Sequence, residues 1–338
     1  MTLLMLPYQV KVTANGNFYY ESGERTAEYW IMTPGMYHYT VVNGSINDTK
    51  SGEFAPGSEL TAKADKPEDG KVFTGWKVNG KVVSRNETYT FKTSEENLEL
   101  EAIYSDERIL DSVKLTEEAP TPIVSSGKTR VRAAFSAEAA DGYTISEYGM
   151  IYSNDGTVTD TSELTIDNVD GTRIKQGTGA YAARILDNGS GVVAVGYVKV
   201  EDSNGSTVTL YTDDIGGKYA ELALAASVTL KTEEPTAVVS GGKNRVRAAF
   251  SAEVPEDVKI EEYGMIYSNN GTVTDVAELT IANVDGTNIK QGTGAYAARI
   301  LDSGSGVIAV GYVTVSDDKG NTVTVYTENI GGSFEALK

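Results

Sequence analysis

The stretch TRVRAAFSAE, residues 129–138, puts Val131, Ala133, Phe135 and Ala137 on one side and Arg130, Arg132, Ser136 and Glu138 on the other. A period of two is the signature of a half-buried strand, because successive side chains of an extended backbone point to opposite faces. The stretch returns as NRVRAAFSAE at 244–253, with Val246, Ala248, Phe250 and Ala252 on the apolar side. Both belong to an internal repeat: residues 128–219 align without a gap on 243–334, with 67 identities in 92 positions. The differences gather at 139–146 against 254–261, which reads as a loop. Upstream, Ser112-Val113-Lys114-Leu115 matches Ser227-Val228-Thr229-Leu230, so each unit starts near residue 109 or 224. The second unit would end near Leu337, and the chain is expected to close on a unit boundary.

Further strand candidates in the first unit are EYGMIYSN, AYAARIL, VVAVGYVKV and STVTLYTD, parted by turn signals such as Asn188-Gly189 and Asn204-Gly205. No segment shows an amphipathic helix with caps at both ends. About seven short strands in ~110 residues is the pattern of a β-sandwich. The order TRVRAAF, EYGMIYS, VAVGYVKVEDSNGSTVTLYTD is similar to the immunoglobulin or fibronectin type III-like modules of bacterial surface proteins of Gram-positive type. The closing hairpin, with Tyr197 before its turn and Tyr211 after it, carries most of that likeness. With no Cys in the chain, the Cys…Trp…Cys pattern of antibody domains is excluded.

Residues 38–106 have a different character. Val42-Asn43-Gly44, Ala55-Pro56-Gly57, Phe73-x-Gly75-Trp76 and the closing Leu100-Glu101-Ala102-Ile103-Tyr104 closely resemble the divergent internalin B-repeat, a small β-grasp-like module. WKVNGKVV reads as a hairpin with a type I′ turn at Asn79-Gly80, and Phe73 and Trp76 would fill a small core. The resemblance implies a stalk or spacer part of a secreted, surface-attached bacterial protein. Residues 1–37 contain the strand-like YQVKVTANGNFYY and are assigned to no family.

Composition narrows the function classes. A net charge of −19 in 338 residues argues against nucleic-acid binding, which needs clustered Lys and Arg. The absence of Cys removes disulfides and thiolate chemistry, so packing and hydrogen bonds must hold the fold. MTLLML is too short for a signal peptide's apolar region, and no run approaches the 18 apolar residues of a spanning helix.

Several motifs invite a chemical reading and fail on context. IKQGTGAYAARILD occurs twice, at 174–187 and 289–302, and contains G-x-G-x-x-A. A dinucleotide turn must join a strand to a helix. Here AYAARIL alternates as a strand, so the glycines read as a turn or bulge. Ser126-Gly127-Lys128-Thr129 has the spelling of a P-loop's end but carries Pro122 where the leading glycine belongs. The single histidine, His38, has no second ligand for zinc and reads as a half-exposed strand residue. Glu147 and Asp187 are among many carboxylates from which a glycosidase pair could be drawn, without an apolar setting to single them out. The turns at 201–205 and 316–320 offer oxygen ligands near a bend, but not the spacing of a recognised calcium loop. Lys175 and Lys290, with Asn168/Asn283 and Asp170/Asp285 nearby in sequence, admit a Lys–Asn isopeptide crosslink, against the simpler reading of loop-edge lysines.

The expectation is therefore a mainly all-β chain: a strand-rich segment at 1–37, a β-grasp-like module at 38–106, and immunoglobulin-like β-sandwiches at 107–222 and 223–338 in an extended array. No catalytic, cofactor-binding or metal-ligating residue and no cofactor is assigned, and no enzyme activity is expected. The expected role is an extracellular, non-catalytic stalk or spacer at a bacterial cell surface. Its expected partners are other surface or matrix proteins or copies of itself, with glycans as a further class, and with neither nucleic acid nor membrane insertion. One alternative is a filament subunit whose apolar start, MTLLMLPYQVKV, adds a strand to a neighbour. Another is a carbohydrate-binding module using surface Tyr and Trp30.

Overall fold

The computed structural model describes residues 8–14, 23–29 and 35–338, the first two segments as paired backbone only. The chain is predominantly β, arranged as several separate sheets. The strands Tyr8–Ala14 and Gly23–Tyr29 form an antiparallel ribbon. Part of the apolar start considered for strand addition is thus already paired within the chain on one edge. Residues 1–7 and Trp30 lie outside the described residues.

The module beginning at Tyr37 has a five-stranded sheet in the order Ser51–Phe54, Tyr37–Val42, Leu98–Asp106, Lys71–Val78, Lys81–Ser84. Its central pair, Tyr37–Val42 with Leu98–Asp106, is parallel, as in a grasp fold. A three-stranded sheet of Gly44–Ile46, Glu59–Ala64 and Thr88–Lys92 shares the core, where a grasp fold would place a helix. Tyr39, Ile46, Leu60, Trp76 and Leu100 come from both sheets and are 2% exposed or less, so this module has a closed core of its own. Asn79 and Gly80 both have positive φ (51° and 81°) between Val78 and Lys81, as a type I′ turn demands.

Each repeat is a three-on-four sandwich. In the first, Val113–Ser125, Lys128–Ala139 and Ala182–Leu186 face Lys175–Thr178, Tyr143–Ser153, Val193–Asp202 and Thr207–Tyr211. The second repeat reproduces both sheets strand for strand. The alternating residues Val131, Ala133 and Phe135 are at most 2% exposed and meet Met150, Ala194 and Val198 of the facing sheet. The ring of Phe135 lies so close to Gly196 that a Cβ there would come within 2.4 Å of it; Gly311 and Phe250 repeat the arrangement.

The four-stranded sheet is buried on both faces. Its outer face carries Ile151, Val195 and Tyr197, covered by Val158, Leu164 and Ile174 from the long 154–174 connection. This explains why EYGMIYSN and VVAVGYVKV read as nearly continuous apolar runs instead of alternating. The connection is pinned by Asp170, whose Oδ1 accepts the N–H groups of Thr172, Arg173 and Ile174 at 2.7, 2.8 and 3.0 Å. Those bonds hold the Asp170 carboxyl well below its ordinary value and turn Ile174 into the core. Asp285 does the same in the second repeat.

Burial, reinforced by a hydrogen bond to the Glu147 carboxylate at 2.8 Å, pushes the Tyr197 phenol up to about 12. Tyr312, beside Glu262, is likewise raised to about 12. A phenol whose pKa is raised on folding stabilises the native state fully below its unfolded value near 10, and that stability is lost as pH climbs toward 12. Absorbance titration at 295 nm is expected to show both tyrosines ionising together with loss of the folded circular-dichroism signal between about pH 10 and 12. Ionisation near 10 with the fold intact would contradict the buried network.

Candidate interaction site

No chemical centre emerges where the sequence motifs suggested one. Lys175–Thr178 is a strand, Gly179 (φ 71°) a turn, and Ala182–Leu186 a second strand, so G-x-G-x-x-A opens onto no helix. Ser126 and Gly127 (φ 52° and 70°) are the two-residue turn of a hairpin pairing Ser125 with Lys128. Asp202 and Asp317 of the calcium candidates turn their Oδ1 onto N–H groups of their own loops. His38 is half-buried in the strand Tyr37–Val42. Glu147 accepts from Tyr197, whereas Asp187 accepts three backbone N–H groups elsewhere.

The lysine–asparagine pairing that sequence proximity admitted, against the simpler reading of loop-edge lysines, does not form between those residues. Asn168 donates to Glu163 O, and Asp170 is occupied by its own loop. Lys175 Nζ instead meets Asn154 Oδ1 at 2.6 Å, and Lys290 meets Asn269 at 2.9 Å. The partner residue comes from the end of the neighbouring strand, because strand pairing brings 154 beside 175 while 168 follows the covering loop outward. Asp155 stands near Lys175, but the second repeat has Asn270 there.

What the structure does build are two joints. At the first, the outer-edge strand Lys81–Ser84 and the following Arg85-Asn86 lie on the 160–167 segment of the first sandwich. That segment starts with the 3-10 turn Thr161–Glu163, capped by Asp160, whose Oδ1 accepts Ser162 N at 2.8 Å. Arg85 N donates to Ser162 O at 3.1 Å, and its Nη2 donates to Thr161 O at 2.6 Å. Asn86 Nδ2 reaches Asp160 Oδ2 at 3.0 Å, and Val82 N reaches Asp167 Oδ2 at 3.2 Å. Thr165 Oγ1 donates to Val82 O, and the Ser84 and Ser162 hydroxyls pair at 3.2 Å. The Arg85 guanidinium sits 4.5 Å from the centre of the Tyr211 ring, a cation–π contact.

The electrostatics match a covered joint. Burial lowers the Arg85 guanidinium from its ordinary value, opposed by Tyr211, Asp160 and Asp213, and it remains a cation at neutral pH. Burial also pushes Tyr211 up to about 12 and, with the neighbouring Asp160, raises Glu163. A cleft of about 840 Å³ with mixed polar and apolar walls opens beside the contact, lined by Lys71, Lys77 and Lys199 as well as Asp65, Glu101 and Asp167.

The second joint is the helix Tyr219–Ser227, which straddles the expected boundary at 222/223 where the sequence showed no capped helix. Tyr219 and Leu222 pack against the first sandwich core, and Leu224 belongs to the second. The helix therefore plugs both cores. Its capping residue Lys218 makes no side-chain cap bond. Asp187 supplies the cap from a distance, accepting Tyr219 N at 2.7 Å through Oδ2 while Oδ1 takes Gly189 N and Gly191 N at 2.7 and 3.0 Å. The last residue of the twice-written block is thus a joint residue; in the second copy Asp302 binds Phe334 N at 2.7 Å. The helix Glu107–Leu110 enters the first sandwich likewise through Ile109, with Ser112 Oγ on Ile109 O as Ser227 Oγ is on Leu224 O. Phe73 and Trp76 fill the module's core as expected. The Arg85 joint follows from neighbours distant in sequence, and only the Ala/Leu/Glu run of the helix 219–227 carried a local signal, without a local cap.

Among the described residues no three His, Cys, Asp or Glu gather as for a metal ion, and no helix is long and apolar enough to cross a membrane. Comparison with known proteins finds a family model, the divergent InlB B-repeat domain, over residues 37–108. No curated protein matches the chain. Among solved structures it is similar to a single-residue variant of BcpA, the major pilin subunit of Bacillus cereus, at 10% identity over 88% of this chain and 94% of that one. The TM-score of that pair is 0.19, too low to weigh on fold or role.

Proposed function

We propose that the chain is a non-catalytic structural segment of a bacterial cell-surface protein, a stalk or spacer that holds its modules in fixed relation. The carrying observation is that both joints are packed and hydrogen-bonded contacts instead of free linkers: Arg85 is inserted against Tyr211 and Thr161, and one helix enters two cores. The B-repeat match at 37–108 supports the cell-surface setting. Other surface proteins or further copies of the chain are the partners this reading favours.

A spacer needs joints that resist bending, so Arg85 tests the role. Arg85→Ala removes a charge-assisted bond and a cation–π contact and is expected to weaken the joint by about 1–3 kcal/mol. The measurement is the rotational correlation time of residues 37–108 by amide relaxation. In the parent chain these residues should tumble with the first sandwich, and in the variant they should tumble faster. Independent tumbling already in the parent chain would defeat the spacer reading.

A further inference from the structure

The second repeat carries a near-copy of the surface that the module covers on the first, and no described residue covers it. Residues 275–283 align on 160–168, and Tyr326 aligns on Tyr211. Asp275 Oδ1 caps the 3-10 turn Val276–Glu278 through Ala277 N, and the Tyr326 hydroxyl accepts Ile281 N at 3.2 Å, as Tyr211 does for Ile166. The local shape is therefore the same. Burial is not. Ser162 and Thr165 are 4% and 0% exposed under the module, whereas Ala277 is exposed, Thr280 half-buried and Ile281 41% exposed.

Five of the seven contacts that seat the module have their first-repeat group reproduced in the second. Two are backbone carbonyls, of Val276 and Ala277, in place of those of Thr161 and Ser162. The others are Thr280 for Thr165, Asp275 for Asp160 and Tyr326 for Tyr211. The two lost groups are the Ser162 hydroxyl, replaced by Ala277, and the Asp167 carboxylate, replaced by Ala282. Thr161 also becomes Val276. Two of these replacements, Ala277 and Ala282, lie exposed, the opposite of what solvent exposure favours, while Val276 packs half-buried against the Leu279 and Tyr312 core. A surface that keeps its carbonyls, carboxylate and ring while shedding hydrophilic groups is suited to being covered.

We propose that the 275–282 face with Tyr326 is a docking site for the edge hairpin of a β-grasp module of the 37–108 kind, supplied by another polypeptide. The chemistry defines the occupant. An arginine would stack on Tyr326 and donate to Val276 O, a following amide side chain would bond Asp275, and an edge-strand carbonyl would accept from Thr280. A small apolar residue before the arginine would lie on Ala277. The chain's own hairpin is held by the first repeat, where the two extra polar contacts favour it.

The test uses the module itself, residues 37–108, whose closed core permits it to fold alone. Isotope-labelled module is titrated with the intact unlabelled chain, and amide signals of residues 81–86 are followed. We expect selective broadening there, removed by Arg85→Ala in the added module and by Tyr326→Ala in the chain. Thr280→Val, which keeps shape and loses the hydroxyl, covers the case in which Tyr326→Ala disturbs folding. Restoring the lost groups with Ala277→Ser and Ala282→Asp should tighten binding at least about tenfold. Absence of broadening with the restored chain at millimolar concentration overturns the proposal, as does binding that survives Tyr326→Ala and Thr280→Val. Concentration-dependent dimerisation of the intact chain, abolished by Tyr326→Ala, would assign the face to a second copy and overturn the assignment to a separate module.

Discussion

Trp76→Ala is expected to unfold residues 37–108 while both repeats keep their transition. Trp76 is 0% exposed and bridges the two sheets of the module. Its ring fills the space over Gly44, where a Cβ would lie 2.5 Å from Cη2, and its Nε1 donates to Glu87 O at 3.3 Å. Losing so large a core side chain costs about 3–5 kcal/mol, because the transfer term is joined by a cavity the neighbours cannot close. A module of this size has little stability beyond that, since small domains bury a smaller share of their surface. Calorimetry should show the module's transition lost or moved far down, with the repeats' transition nearly unmoved. The hairpin would also leave the first repeat, so Tyr211 should titrate closer to 10 than to 12. A single unshifted transition would show that the core does not depend on this residue.

Asp187→Ala is the second large effect. Its carboxylate is 6% exposed and receives the N–H groups of Gly189, Gly191 and Tyr219. Truncation leaves the half-buried Gly191 and Tyr219 N–H groups and the exposed Gly189 N–H without their acceptor. A buried donor left unpaired costs about 1–3 kcal/mol, so a loss of about 2 kcal/mol is expected. Asp187→Asn keeps an acceptor and should lose less. The comparison with Asp302→Ala separates local from joint effects. Both variants should destabilise their own repeat, but only Asp187→Ala should raise hydrogen exchange along residues 220–226, because its third bond holds the inter-repeat helix. Denaturant midpoints and exchange rates measure the two consequences separately. Equal exchange in both variants would remove Asp187 from the joint.

These expectations rest on features of unequal visibility in the sequence. The alternation in TRVRAAFSAE puts Val131, Ala133 and Phe135 inside, and they are inside. The Asn79-Gly80 turn is legible because positive φ at both positions is a local demand. Period alone does not explain EYGMIYSN or VVAVGYVKV, since a strand buried on both faces loses its alternation, and the second face is created by the 154–174 connection. The helix 219–227 is not legible as a capped helix in the sequence because its cap does not lie beside it: Asp187, 32 residues away, supplies it. The Lys175 pairing goes to Asn154 for a similar reason: neighbours across strands outrank neighbours along the chain.

By itself the sequence determined what depends on local geometry: the alternating strands, the tight turns, the duplication and the apolar face of the three-stranded sheets. Those follow from side-chain period and from backbone angles that few residues tolerate. Only the tertiary structure decided what each aspartate, arginine and tyrosine is for. Asp187 and Asp302 are identical letters in identical blocks, yet one secures a helix shared by two cores. Tyr211 and Tyr326 occupy the same strand position, yet one lies under Arg85 and the other, half-buried against its own core, has no cation over its ring among the described residues. The difference lies in what packs against each residue, and packing partners are set by the fold, not by the neighbouring letters.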